Sequence, residues 1–274
     1  GSIIYNMVAQ LTDSTIQTAV DAWILDSDQA QFTTTTNSPY YGPIAGWDTS
    51  QVTNMAELFK SKSFNGDISS WDVSKVTTMQ YMFFRATAFN RDISNWNVYA
   101  VTTMQGMFQN ANSFNGDISN WNVSAVINMQ SMFRNATAFN GDISQWDVSA
   151  VINMQSMFRD SAFNGDISNW NVSNVTSMLR MFSGASVFNR DISNWNVSKV
   201  TTMYAMFYNA TAFSKDIRGW DVSNVTDMSM MFYGATLMIN IYSAPNNPTN
   251  AWFTGPVLIS NICFPAGTLI ATNQ

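Results

Sequence analysis

The chain has 274 residues, of which 46% are hydrophobic and only 11% charged, with a formal net charge of −6. It contains no histidine, so the commonest general base and the commonest metal ligand are missing, and no basic stripe is available for nucleic acid. Its single cysteine, Cys263, cannot form an intrachain disulfide, and no stretch reaches the length of a membrane helix.

Residues 1–39 read as an N-terminal cap, with a helix over about 12–25 followed by a polar, threonine-rich loop. Ile16, Ala19, Val20 and Trp23 give that helix one apolar face, and Ser14 with Gln17 has capping-box spacing, although Thr12 or Asp13 could equally be the cap. Tyr40-Tyr41-Gly42-Pro43-Ile44 aligns with Phe64-Asn65-Gly66-Asp67-Ile68 as a degenerate first coil. From there to residue 244 one unit recurs. Its tryptophan stands at Trp47, Trp71, Trp96, Trp121, Trp146, Trp170, Trp195 and Trp220, in steps of 24 or 25 residues, a solenoid period. Such a unit cannot bury its own apolar face, but stacking the next unit on it can.

Within the unit, Ile68-x-x-Trp71-x-Val73 alternates apolar with polar residues and predicts a short strand. Met79, Met82, Phe83 and Ala86, at i, i+3, i+4 and i+7, predict a short helix capped by Thr77 with Gln80. The expected fold class is therefore an α/β repeat solenoid. It would be a right-handed, leucine-rich-repeat-like stack of about eight coils, with one parallel strand and one helix per coil. The core is expected to hold Trp71, Trp96, Trp121, Trp146, Trp170, Trp195 and Trp220. Residues 245–274, opened by Pro245 and Pro248, read as a C-terminal cap or linker.

Several columns could carry chemistry. Asp67, Asp92, Asp117, Asp142, Asp166, Asp191 and Asp216 could form a row of calcium sites. One carboxylate per coil is few for a calcium cage, and carboxylates accepting turn N–H groups is the favoured reading. Two methionine columns at helical spacing read as core filling rather than soft-metal ligands. The outer positions vary most. Tyr81, Phe84 and Arg85 lie toward one end and Tyr204, Tyr208 and Tyr233 toward the other. Exposed aromatics with arginine are common interface anchors, so these six are the candidate partner-binding residues, against scattered surface aromatics as the alternative.

The motif W-[DN]-V-S-x-V-T-x-M-x-x-M-F-x-x-A-x-x-F-N-x-D-I-S resembles that of the BspA-like leucine-rich-repeat surface proteins, over about Tyr40 to Met238. The resemblance implies a secreted or surface-displayed recognition module and does not imply a ligand. The expected function is a non-catalytic module that meets a protein or glycan on a cell or virion surface, with no cofactor, metal or membrane insertion. A solenoid carbohydrate-active enzyme is the weaker alternative, because histidine is absent and the carboxylates lie in regular columns rather than in one cluster. Gly1-Ser2 resembles a cloning remnant, so an upstream signal segment is an expectation left open. Cys263-Phe264-Pro265-Ala266-Gly267-Thr268-Leu269-Ile270-Ala271-Thr272 resembles the opening of a Hint module, the self-processing unit of hedgehog proteins and inteins. That resemblance implies that Cys263 would attack the Ile262 carbonyl in a complete precursor, with no activity expected from this sequence alone because it lacks histidine.

Overall fold

A computed structural model describes residues 10–25 and 43–255. We label its helices α1 (Ile16–Leu25), α2 (Thr236–Tyr242) and α3 (Asn250–Thr254), with a 3₁₀ turn at Ile44–Gly46. Between Gly46 and Thr236 there is no helix, and strand pairing is limited to isolated parallel bridges. The expected α/β solenoid with a strand and a helix in every coil is therefore wrong. Each coil is instead built from successive turns.

Backbone geometry explains why the helix does not form. Tyr81 and Arg85 have φ of 54° and 56°, and the corresponding pair in every other coil is also left-handed, as at Ser131 and Asn135 or Ala205 and Asn209. A right-handed helix cannot run through such residues. The amides follow an alternating scheme instead. Met79, Tyr81, Phe83 and Arg85 donate to the carbonyls of Thr103, Gln105, Met107 and Gln109 in the next coil at 2.8–3.1 Å. Met82, Phe84 and Ala86 donate three residues back within their own coil at 3.0–3.2 Å. The carbonyls of Gln80, Met82 and Phe84 accept from Glu57, Phe59 and Ser61 of the coil before. Every second residue thus bonds between coils and the rest close turns, which leaves few orphan groups to seek a helix or a sheet.

The expected strand fails for a similar reason. Trp71 and Val76 use their amides in turns to Ile68 and Val73. One residue per coil makes a bridge, as in Thr78 to Thr103 to Asn128, and these lie at the start of the segment read as helical. The Thr77 capping box is absent too. Thr77 Oγ1 donates to the Thr53 carbonyl of the preceding coil, and Thr78 Oγ1 accepts the Gln80 amide at 3.4 Å. The right-handed crossover argument needed real strands and falls with them.

Apolar side chains from each coil pack into ladders along the stack. Trp71, Val73, Val76, Met79, Met82, Phe83, Ala86, Phe89 and Ile93 are all buried, and the equivalent set recurs coil after coil. Phe83 stacks on Phe108 at 5.5 Å between coils and on Phe89 at 3.9 Å within its own. Indole rings stack as well, Trp96 on Trp121 at 6.4 Å. Each indole N–H also donates to an isoleucine carbonyl of the previous coil, from Trp71 to Ile44 at 2.9 Å through Trp220 to Ile192 at 3.1 Å. The tryptophans therefore fasten neighbouring coils by a hydrogen bond as well as by burial. The one-residue deletion near Ser161 is absorbed locally. Ser161 takes the buried alanine position, and its hydroxyl donates to the Phe158 carbonyl at 2.9 Å.

Both ends of the stack are covered. The α1 helix starts at Ile16 rather than near residue 12, because Thr12 to Thr15 form a turn in which Thr15 and Ile16 donate to the Thr12 carbonyl. Its buried residues Ile16, Ala19, Val20 and Trp23 face the first coil, with Trp23 edge-on to Phe64 at 5.7 Å. Asp13 does not cap the helix. Its carboxylate accepts the Thr53 amide at 2.7 Å, the Thr53 hydroxyl at 2.6 Å and the Asn54 amide at 3.0 Å. In later coils the equivalent amide, from Thr77 to Thr226, donates to the coil before, so Asp13 supplies the acceptor of a missing coil. At the far end Asn247 Oδ1 accepts the Met230 amide at 2.7 Å, and Trp252 continues the phenylalanine ladder from Phe232 at 5.1 Å.

Candidate recognition surface

Most of the polar columns are consumed by the turns themselves. Asp67, Asp92, Asp117, Asp142, Asp166 and Asp191 each accept the amide of the serine two residues on at 2.9–3.0 Å. Those backbone bonds, helped by the serine hydroxyls, hold the six carboxyl groups below the usual carboxylate range. Asp216 is held down first by the Arg218 side chain, which it meets at 2.6 Å. The asparagine column is a ladder between coils, in which Asn65 Oδ1 accepts the Asn90 amide and Asn90 Oδ1 the Asn115 amide at 2.9–3.0 Å. No group of three or more Asp, Glu, Cys or His side chains converges on a point among the described residues.

The turn that replaces the expected helix carries the varied residues, and they form two clusters. In the first, Tyr81 meets Phe84 edge-on at 5.6 Å and Arg85 lies over the Phe84 ring at 5.1 Å. Lys60, paired with Glu57, lies 5.8 Å from the centre of the Tyr81 ring. Tyr81 accepts a hydrogen bond at its hydroxyl from Gln105 at 2.8 Å. Its ring lies where a side chain on Gly106 would project, since a Cβ there would come within 2.2 Å of it. Tyr81 and Phe84 are therefore only half exposed, while Arg85 is open to solvent.

The second cluster lies toward the C-terminal end. Tyr208 stacks on Tyr233 at 5.2 Å with their planes 9° apart, Tyr204 donates its hydroxyl to Met230 Sδ at 3.5 Å, and Arg180 lies over the Tyr204 ring at 5.1 Å. Arg159, Arg180, Ser183, Tyr204, Ala205, Tyr208 and Met230 line a depression of about 260 Å³. Tyr233 is exposed, whereas Tyr204 and Tyr208 are half-buried in this depression. The six aromatic and arginine positions thus share one type of turn but not one patch.

Sequence reasoning gave no weight to Arg134, Arg159 and Arg180, which lie between the two clusters. Burial pushes the Arg134 guanidinium down, and Arg159 and Arg180 add to this by like-charge repulsion, partly offset by Asp160. Arg134 Nε is buried without a hydrogen-bond partner. The signal was present in M-F-R of two successive coils, at Arg134 and Arg159. Cys263, with Ile262 and the Hint-like motif, lies outside the described residues.

The class defined by this architecture is a capped stack of turn-built repeats. The family described as Mycoplasma protein of unknown function, DUF285, matches residues 28–146 and 128–244. The chain belongs to that family, and two successive matches suit its repeat organisation. No curated protein and no solved structure matches it.

Proposed function

We propose that the stack is a non-catalytic recognition or adhesion module, secreted or surface-displayed, that presents its variable turns to a protein or glycan at a cell or virion surface. The observation that carries this reading is a division of labour. The repeated Asp and Asn columns spend their oxygens on the chain's own amides, whereas the half-exposed tyrosines and arginines of the turns vary from coil to coil and gather around a depression. Invariant columns build the scaffold and the variable turns carry identity, as in other repeat proteins with broad binding surfaces. The resemblance of the motif to BspA-like surface proteins supports the same reading.

Microspheres coated with the chain provide the test. They should be retained on at least one of a panel of eukaryotic cell layers, immobilised matrix proteins and immobilised glycans, above albumin-coated spheres. Retention should fall when Tyr208 and Tyr233 are changed to serine. Coated spheres that behave like albumin-coated ones on every surface would refute the proposal.

The motif from Cys263 to Thr272 supports a second, compatible reading, in which the stack is the cargo of a self-processing precursor. Cleavage at Ile262–Cys263 would then require a complete downstream module supplying a proton donor. Intact-mass measurement decides it. A precursor with such a module should be cut, the Cys263→Ala form should not, and a wild-type precursor that stays whole would end this reading.

A further inference from the structure

We propose that the depression bounded by Arg159, Arg180, Tyr204 and Tyr208 binds an acidic saccharide unit of an extended polysaccharide. The arginines would take its carboxylate or sulfate and a tyrosine face would take its ring. This inference rests on the recognition reading above and names the ligand chemistry for it.

Charge is the first argument. Arg159 and Arg180 lie close enough to Arg134 to lower its proton affinity, an effect that Asp160 only partly offsets. Arg159 reaches Asp160 at 3.1 Å through Nε alone, which leaves its terminal nitrogens free for the planar, two-pronged contact that guanidinium groups make with carboxylates and sulfates. Arg134 adds an unpartnered buried Nε one coil away. Guanidinium groups crowded in this way, in a chain with a net charge of −6, create a local positive field that an anion relieves.

Shape is the second argument. A volume of about 260 Å³ lined by two arginines, two tyrosines and a serine, with Ala205 and Met230 completing it, offers guanidinium groups beside aromatic ring faces, the pairing that an acidic sugar ring with its anionic substituent needs. Arg180 is already packed against the Tyr204 ring at 5.1 Å, which fixes the guanidinium plane before a ligand arrives.

The backbone supplies the third argument, against an extended acidic peptide. The amides of Arg180, Gly184 and Ala205 donate to the next coil, and those of Ser183 and Tyr208 close local turns. No strand edge is offered there for a peptide to extend, so recognition falls to side chains alone.

Calorimetric titration of the full chain tests the proposal with a polyuronate oligosaccharide, a heparin-derived sulfated oligosaccharide, a neutral maltooligosaccharide and polyglutamate. At least one acidic oligosaccharide should bind, more weakly as salt rises, and the comparison of the two shows whether carboxylate or sulfate is preferred. The R159Q/R180Q double variant should bind it at least about tenfold more weakly, and Tyr208→Ser several-fold more weakly. Lys199→Gln, which removes an exposed charge bonded to Asn174 Oδ1 rather than to any residue of the depression, should change nothing. Each variant should melt within about 2 °C of the parent, which excludes a folding effect. Equal binding of the neutral oligosaccharide, polyglutamate as tight as the polyuronate, or full affinity in R159Q/R180Q would each overturn the inference. Failure of both acidic oligosaccharides to bind, while coated microspheres are still retained on a surface, would overturn this inference and leave the recognition reading standing.

Discussion

Asn135 separates a turn-built coil from a helical one by the sign of a stability change. It has φ of 55°, and its amide donates to the Arg159 carbonyl at 2.8 Å. An ordinary L-residue in that conformation costs about 1–2 kcal/mol, which asparagine softens and glycine escapes. Asn135→Ala should therefore lose about 1 kcal/mol. Asn135→Gly exchanges relief of strain for greater freedom of the unfolded chain and should stay within about 0.5 kcal/mol of the parent. Glycine should thus lie above alanine by roughly 1 kcal/mol. In a helix the order reverses, with glycine below alanine by about 1 kcal/mol. Thermal melts should resolve the difference, since 1 kcal/mol moves the midpoint by about 2–4 °C in a chain of this size. Gly184, with φ of 70° and Asp160 Oδ1 2.0 Å from where a Cβ would stand, should show a larger loss on replacement by alanine. Alanine equal to or above glycine at position 135 would refute the account of the coil.

Trp121→Phe should destabilise by about 2–4 kcal/mol through lost packing and lost fastening. The hydrogen-bond share stays small because the Ile93 carbonyl keeps the Trp96 amide at 3.1 Å after losing the indole at 3.0 Å. A denaturant midpoint unchanged from the parent would contradict the coil-to-coil lock. The aspartates of the turn column have folded-state pKa values depressed by their hydrogen bonds. Their contribution is thus present above the unfolded value near 3.8 and is lost as pH falls through the folded values. Melting temperature should be flat from neutral pH to about 5 and fall below about 4, and changing Asp92, Asp117 and Asp142 to asparagine should blunt that fall, as a constant acid sensitivity would disprove. Calcium added in place of chelator should leave the melting temperature unchanged, and a reversible rise would restore the cation-site reading.

The period of the chain was legible because it is a matter of spacing alone, and the buried tryptophans, phenylalanines and methionines follow that spacing. Local structure was not legible from the same spacing. Met79, Met82, Phe83 and Ala86 fit one face of a helix, yet consecutive turns that return every three or four residues bring the same four side chains inward. The contrary signal was Asn110, Asn135, Asp160, Gly184, Asn209 and Gly234, six members of a left-handed column that Ser61 and Arg85 begin. Asparagine, aspartate and glycine recurring at one position of a presumed helix mark a residue that is not helical. At the candidate surface the tyrosines stood out by type. The arginines between them did not, because only their juxtaposition across coils gives them meaning.

The alternating hydrogen bonds of the coils have a consequence for how the gene can change. Each coil meets its successor through the same four amides and is met by its predecessor at the same carbonyls, so adjoining copies are interchangeable parts. Duplication or loss of one 24- or 25-residue segment would leave both terminal covers with the partners they already have. Unequal recombination between such similar stretches could then lengthen or shorten the array in whole steps, and point substitution within the left-handed turns could diversify what each step displays. Variation in what each coil displays would be tolerated without redesign of the core.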